Sequence, residues 1–124
     1  MSIYTKLNVD LAGRLKFVPT PEEAGLLNEA ISMAASSQQR FRVGAAWAGG
    51  HGYNTRLLHA ERNMLLRYSS QSIAGHTVAV ARLGKKNDWR CSYPCHKCQQ
   101  SLMRAGVSRL VCLNEHNMPV AFDL

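Results

Sequence analysis

Two short motifs carry side chains that bind metal ions and move protons. The first is H-A-E over residues 59–61, and the second is P-C-H-K-C over residues 94–98. Because Cys95 and Cys98 are three positions apart, a helix places both thiols on one face, where they can bind one ion. The imidazole of His59 would be a third ligand. Three protein ligands leave one tetrahedral position for water, which is the pattern of a catalytic zinc site.

Glu61 follows His59 by two residues, and its carboxylate suits proton transfer at such a site. Zinc lowers the pKa of a water ligand to ~7, so Glu61 can accept the water proton and return it to a leaving amine. Two other interpretations of these residues stay open. A C-x-x-C pair also occurs as a redox pair, and a closed structural zinc site would take Cys91 or His96 as its fourth ligand.

The segments around the motifs predict alternating helices and strands. Thr20, Pro21 and Glu23 are typical of a helix start, because threonine caps, proline fits the first turn and glutamate completes a capping box. The sequence predicts helices over 21–37, 59–68 and 94–105, and strands over 41–48, 53–55, 76–83, 107–113 and 119–122, with a turn at 49–52 and a polar loop at 84–93. Such an order favours an α/β fold in which helices cover both faces of a mixed sheet.

Length and composition indicate which class of protein this chain belongs to. The chain has 124 residues, 46% of them hydrophobic and 19% charged, which predicts a single globular domain over 1–124. No apolar run approaches the ~18 residues of a membrane span, and no secretory signal is evident, so we expect no membrane partner. A C-x-x-C pair in a reducing compartment predicts a cytoplasmic location. Residues 1–19 form an N-terminal element without an assigned role, predicted to be amphipathic with Leu7, Leu11 and Leu15 on one face.

Positive charge is concentrated in the middle of the chain. The net charge is +7, and the window 56–109 holds ten basic and two acidic residues. A field of that sign attracts phosphates, although an ordinary solvated basic face is the alternative. Basic and aromatic residues, which can contact phosphates or stack on bases, precede the second motif or follow the hairpin: Arg56, Lys85, Lys86, Trp89, Arg90 and Tyr93. The aromatic residues of this set can equally cover the edge of the sheet.

From about residue 22 to residue 113 the chain resembles the cytidine deaminase-like superfamily. H-x-E followed by P-C-x-x-C is the signature of zinc-dependent deaminases. F-R-V-G-A-A over residues 41–46 looks like the F-x-V-G-A-A strand of nucleoside cytidine deaminases, and G-Y-N over residues 52–54 looks like their G-x-N. Residues 104–111 are more similar to the deoxycytidylate and nucleic-acid-editing branch, where a helix ends in glycine and a parallel strand follows.

The resemblance implies a three-layer α/β/α sandwich around a mixed five-stranded sheet. It also implies an activity, the hydrolysis of the cytosine amine to give uracil and ammonia. It implies one zinc ion per chain, a dimer or tetramer of identical chains, and a set of site residues. These are the ligands His59, Cys95 and Cys98, the proton shuttle Glu61, a backbone amide at Ala60 near the base, Asn54 at the sugar, and Phe41 or Val43 along the pocket. Asn54 can instead cap a turn, and Phe41 can instead be plain core.

Two departures from the family pattern bear on the substrate. Thr55-Arg56 follows Asn54, so the sugar-binding glutamate of the N-V-E-N motif is missing, and the first ligand is His59 rather than cysteine. We therefore expect deamination of cytosine in a free nucleoside or nucleotide, with a lean to cytidylate or deoxycytidylate. The alternatives are a deaminase of cytosine, or secondarily adenine, in single-stranded DNA or RNA, and a non-catalytic zinc-stabilised module that binds nucleic acid.

Overall fold

One mixed β-sheet organises the described part of the chain. The computed structural model describes residue 11 and residues 13–56, 59–68 and 70–124. In chain order the elements are β1 (Lys16–Phe17), α1 (Pro21–Ser36), β2 (Arg42–Trp47), β3 (Gly50–Tyr53), α2 (Ala60–Arg67), α3 (Ser70–Ile73), β4 (Thr77–Leu83), β5 (Trp89–Arg90), α4 (His96–Arg104), β6 (Arg109–Leu113) and β7 (Pro119–Asp123). In these described ranges, no helix is both long and apolar enough to cross a membrane.

The sheet has seven strands in the order β1-β7-β6-β4-β2-β3, and β5 pairs with the end of β4. β4 and β6 run parallel, and every other described pairing is antiparallel. The predicted mixed sheet is confirmed, but the predicted count of five strands is too low. The two additional strands, β1 and β5, are two residues each. Pairings this short leave no periodic hydrophobic signal in a sequence.

Helices lie on both faces of the sheet, which confirms the three-layer arrangement. α1 covers one face with small and aliphatic residues that pack on Ala46, Ala79, Ala81 and Val111. α2 and α4 cover the other face over a larger core that includes Val43, Trp47, Met64, Val80 and Leu102. Because successive residues of a strand point to opposite faces, each central strand contributes to both cores.

Gly44 explains how closely α1 lies on the sheet. A Cβ atom at this position would come 2.0 Å from the carbonyl oxygen of Ala30 and 2.4 Å from the amide nitrogen of Ala34. Only glycine fits such a contact between a helix backbone and a strand. The V-G-A-A segment is therefore a packing motif for α1, and the start of α1 has the predicted capping box between Thr20 and Glu23.

The hairpin lies earlier than predicted. The sequence predicts a turn over 49–52, whereas β3 begins at Gly50 and pairs with β2 through Tyr53. The sequence analysis places Gly52 in the turn, but this glycine lies in β3 and packs closely against α2. A Cβ atom on Gly52 would lie 2.9 Å from the amide nitrogen of Met64, so this glycine lets α2 pack directly on β3.

The sequence predicts an amphipathic N-terminal element over residues 1–19. Residues 1–10, which include Leu7, and residue 12 lie outside the described residues. Leu11 is buried in the larger core, whereas the side chain of Leu15 is 77% exposed. Residues Lys16–Phe17 pair with the last strand, β7. The described end of this segment therefore forms one edge strand of the sheet.

Candidate metal centre

Two helix starts converge on one point above the sheet. His59 is the residue before the first turn of α2, and Cys95 is the residue before the first turn of α4. Both have extended backbone, and both carbonyls accept the first hydrogen bond of their helix, from Asn63 at 2.9 Å and from Gln99 at 2.9 Å. The fold thus brings together residues that are far apart in sequence.

The three predicted ligands form one cluster. His59 Nδ1 lies 3.1 Å from the Sγ atom of Cys98 and 3.5 Å from the Sγ atom of Cys95. The ligand atoms of all three residues lie within 4.8 Å of one another. Ligands at zinc bond lengths of about 2.0–2.3 Å in a tetrahedron are separated by roughly 3.5 Å, so the cluster fits a single zinc ion.

The pKa values of the two thiols are shifted in opposite directions. The pKa of Cys95 is lowered to about 5, chiefly because the Cys98 thiol donates a hydrogen bond to it and in spite of partial burial. The same bond and the burial of Cys98 raise the pKa of that second thiol. Because the thiolate is the form that binds zinc, the lowered pKa of Cys95 favours metal binding at this cluster.

The cluster has three protein ligands among the described residues. Cys91 and His96, the two residues considered as a fourth ligand, do not join it. Cys91 is buried in the larger core, and His96 is exposed at the first helical position of α4. The arrangement is therefore that of an open site, in which a non-protein ligand completes the tetrahedron.

Glu61 lies beside this cluster and is fully buried. In the described part of the chain, neither carboxylate oxygen has a hydrogen-bond partner. The pKa of Glu61 is raised to about 7, chiefly by burial. The nearby Cys95 also raises this pKa, whereas His59 and the Cys98 thiol lower it. A buried carboxylate without partners marks a place where water or a ligand atom binds.

Ser92 fixes the segment that leads into Cys95. Its hydroxyl donates to the carbonyl of Val80 at 2.7 Å and accepts from the Leu113 amide at 2.8 Å, and its own amide donates to the Leu113 carbonyl at 2.9 Å. These bonds tie the segment to β4 and β6, the parallel strands below the metal centre. The sequence analysis missed Ser92, although a lone serine in a segment of buried residues is a signal of such a bridge.

Tyr93 does not lie where the sequence analysis placed it. It was predicted as a contact for phosphate or nucleic acid, but its side chain is 1% exposed and its ring packs against Phe122. Its hydroxyl donates to Glu115 at 2.5 Å. The whole segment over residues 91–94 is buried, so the Tyr93 ring lies inside the protein and its hydroxyl reaches the exposed Glu115.

Asn54 joins the start of β2 to the end of β3. Its Oδ1 accepts from the Val43 amide at 2.9 Å, and its Nδ2 donates to the Phe41 carbonyl at 2.5 Å. These bonds connect Asn54 to residues more than ten positions away, so they fix the two strands to each other rather than cap a turn. A role of Asn54 at the sugar stays a prediction. Val43 and Ala60 are fully buried in the larger core, under α2 and α4, whereas the side chain of Phe41 is 40% exposed. Plain core is therefore the wrong interpretation of Phe41.

The predicted cationic residues fall into two groups. Lys85, Lys86 and Arg90 line one pocket of about 640 Å³, together with Phe41. Trp89 is 43% exposed in β5 and Arg56 is exposed after β3, and neither lines that pocket. The pocket also contains Arg40 and Arg82, which the sequence analysis did not single out.

Comparison with known families identifies a match over most of the chain. A family model described as "Cytidine and deoxycytidylate deaminase zinc-binding region" matches residues 22–114. This span begins in the first turn of α1, ends just after β6, and contains all three candidate ligands and Glu61. No curated protein matches the chain.

Proposed function

The chain belongs to the cytidine and deoxycytidylate deaminase zinc-binding family, and on this premise we propose that it hydrolyses the exocyclic amine of cytosine in a free nucleoside or nucleotide. Zinc-dependent deamination is the chemistry of the family and agrees with the three-ligand site. One observation carries the catalytic proposal. The buried carboxylate of Glu61, without a hydrogen-bond partner among the described residues, lies next to the His59, Cys95 and Cys98 cluster.

Each residue of the site then has a defined task. When bound, zinc supplies Lewis-acid chemistry that lowers the pKa of water to ~7. His59, Cys95 and Cys98 would hold the metal. Glu61 accepts a proton from the attacking water and delivers it to the amine nitrogen. The oxygen of water becomes bonded to the ring carbon, and the second water proton moves to the neighbouring ring nitrogen. The exocyclic carbon–nitrogen bond then breaks, and ammonia leaves.

The closed surroundings of Glu61 support this assignment. The carboxylate is fully buried, and Ala60 beside it is also fully buried. Exclusion of bulk water protects the proton on Glu61 during transfer and strengthens its interaction with the reacting atoms. The backbone amide of Ala60, in the first turn of α2, is proposed to contact the base.

Within this reaction we favour the phosphorylated substrates cytidylate and deoxycytidylate. The support is the excess of positive charge and the absence of the nucleoside-type glutamate after Asn54. A second candidate is deamination within single-stranded DNA or RNA, which is favoured by the exposed Trp89 beside the cationic pocket. A cytoplasmic location and assembly into a dimer or tetramer stay predictions from the sequence.

One assay separates these possibilities. Zinc-loaded protein is incubated with cytidine, cytidylate, deoxycytidylate or an oligodeoxynucleotide that contains one cytosine, and the mass increase from amine to carbonyl is followed by mass spectrometry. Turnover of a mononucleotide supports the proposal, and turnover of the oligonucleotide alone supports the second candidate. Absence of turnover on all four substrates, with zinc bound, contradicts both and leaves the non-catalytic binding module.

A further inference from the structure

A strongly cationic pocket lies between the start of β2 and the β4–β5 hairpin. Its volume is about 640 Å³. Five of the side chains that line it are basic and one is acidic: Arg40, Arg82, Lys85, Lys86, Arg90 and Asp88. A pocket with this balance attracts an anion and raises its local concentration.

The single acid does not neutralise the pocket. Asp88 pairs with Arg90 at 2.7 Å, so these two charges compensate each other. Arg42, which lies nearby, is committed elsewhere because its guanidinium donates to Asn87 at 2.8 Å. Arg40, Arg82, Lys85 and Lys86 line the pocket beside this pair, and guanidinium and ammonium groups match the charge and the acceptor oxygens of a phosphate.

The pocket is built on ordered backbone. The Gly84 amide donates to the Asp88 carbonyl at 2.8 Å, and the Asn87 amide donates to the Gly84 carbonyl at 3.0 Å. Asn87 has a φ of 60°, a left-handed conformation that asparagine tolerates in turns. Lys85 and Lys86 therefore sit on a tight hairpin rather than on a long loop, which reduces the entropy lost when a ligand binds.

Phe41 organises two of the three arginines of the pocket. The guanidinium of Arg82 lies 5.0 Å from the centre of the Phe41 ring, and that of Arg40 lies 5.6 Å from it. Cation–π contacts at these distances hold guanidinium groups against an aromatic ring. The ring thus brings two cations from different elements into one pocket.

The pocket and the metal centre share one face of the sheet. Arg82 is two positions after Val80, and Phe41 is two positions before Val43. Val80 and Val43 belong to the core that contains Ala60, the residue between the ligand His59 and Glu61. Since alternate residues of a strand point to one face, Arg82 and Phe41 continue the face on which the metal centre lies.

We infer that this pocket is the subsite for a phosphate of the cytosine nucleotide whose base is deaminated at the metal centre. The inference rests on the proposed function and adds the residues that recognise the phosphate. The chemistry is the same for a terminal phosphate on a mononucleotide and for a phosphodiester beside the target cytosine in a single strand. The experiment below distinguishes these two sources.

Binding is measured directly, so that the test does not depend on turnover. Zinc-loaded Glu61→Gln protein is titrated by calorimetry with cytidine, cytidylate and an oligodeoxynucleotide that contains one cytosine. The double variant Lys85→Ser/Lys86→Ser and the single variant Arg40→Ser are compared with the matched control Arg67→Ser/Arg104→Ser. The control removes two exposed cations at the ends of α2 and α4 that do not line the pocket.

We expect the Lys85/Lys86 variant to bind a phosphorylated ligand about 10-fold more weakly and cytidine unchanged, because hydrogen bonds to charged groups are the strong ones. A loss with cytidylate assigns the site to a terminal phosphate. A loss with the oligonucleotide alone, and a salt dependence lower by about 1.4 in log–log slope, assigns it to a phosphodiester. Equal binding of cytidine and cytidylate, with oligonucleotide binding unaffected by the pocket variants, overturns the inference, as does an equal loss in the control.

The same preparations separate this inference from the proposed function. Wild-type protein is assayed with the same three ligands in parallel. Phosphate-dependent binding without turnover contradicts the proposed function and supports the subsite. Turnover of cytidine and cytidylate with equal kcat/KM, unaffected by the pocket variants, supports the proposed function and overturns the subsite.

Discussion

His59 and Cys95 occupy the same position on two different helices: each is the extended residue immediately before the first helical residue. The remaining chemical groups follow within the first turn of each helix, Glu61 at its second residue and Cys98 at its third. The positive end of a helix dipole favours thiolates and carboxylates at these positions. The spacings H-x-E and C-x-x-C are thus what one turn of helix at a metal centre requires.

Removal of a thiol ligand tests the metal centre. Cys98→Ala should lower the zinc content of the purified protein from one ion per chain to well below half, because the thiolate is lost and only two ligands remain. Zinc is measured by atomic absorption together with the temperature of unfolding. The matched control is Cys112→Ala, which removes a fully buried core thiol outside the ligand cluster.

The control should keep its zinc and lose about 1 kcal/mol of stability, as expected for a small buried side chain. A Cys98→Ala protein that retains a full equivalent of zinc would show that the ion binds elsewhere. Loss of zinc in the Cys112 variant as well would indicate that zinc content reports general stability rather than ligation.

Glu61→Gln tests the proton shuttle. The amide has the shape of the carboxylate but cannot accept and return a proton, so turnover should fall by about 10²–10⁴-fold. Zinc content and fold should be retained, because Glu61 is not a ligand and its burial disfavours the charged form. The comparison is with Glu29→Gln, an exposed glutamate on α1. Full activity in the Glu61 variant would refute the proposed role.

The sequence predicts the metal centre well because its residues are set by local geometry. The ligands and Glu61 fall within single helical turns, so spacing indicates which side chains of each motif share a face. That the two motifs form one site follows from their joint occurrence as the deaminase signature. Spacing also indicates the start of α1, where Thr20 and Glu23 form the predicted capping box. A capping box can be predicted from sequence because both of its hydrogen bonds join residues three positions apart, so they do not depend on the rest of the fold.

Features that depend on strand register escape the sequence analysis. Arg82 is the last but one residue of β4, and it reaches Phe41 only because β2 and β4 pair with Val43 opposite Arg82. Tyr93 looks like a surface aromatic in a basic segment, yet the course of that segment over the sheet buries it. The sequence places Gly52 in a turn because its close contact with Met64 of α2 is a tertiary contact that spacing does not show.

The ion pair between Glu23 and Arg109 predicts how stability depends on pH. Burial alone would raise the pKa of Glu23, but hydrogen bonds from the Thr20 amide and the Arg109 guanidinium lower it below its usual value. The Glu23 carboxylate lies 2.5 Å from the Arg109 guanidinium. A folded-state pKa below the unfolded value gives stability that is present above pH ~4.3 and is lost as the pH falls through the folded value.

Glu23→Gln should therefore cost about 1.5–3 kcal/mol at pH 7, the range for hydrogen bonds to charged groups, and much less at pH 3. The free energy of unfolding is measured with urea from pH 7 to pH 3. Because zinc is released from both proteins at acid pH, the difference between the two curves reports Glu23. Glu22→Gln, a change at the exposed neighbouring position, should leave the curve unchanged. A constant difference across the range would contradict the assignment.

Substitution by alanine should change the stability of the protein in opposite directions at Gly44 and at Gly25. A Cβ atom on Gly44 would overlap the backbone of α1, at 2.0 Å from the Ala30 carbonyl oxygen, whereas a Cβ atom on Gly25 meets nothing within 4 Å. Gly44→Ala should therefore destabilise the protein by about 1–3 kcal/mol or more, because helix and strand must separate. Gly25→Ala, in the exposed middle of α1, should stabilise it by up to ~1 kcal/mol. Thermal unfolding of the two variants beside wild type measures both effects, and a Gly44→Ala protein as stable as wild type would mean that α1 does not lie directly on β2.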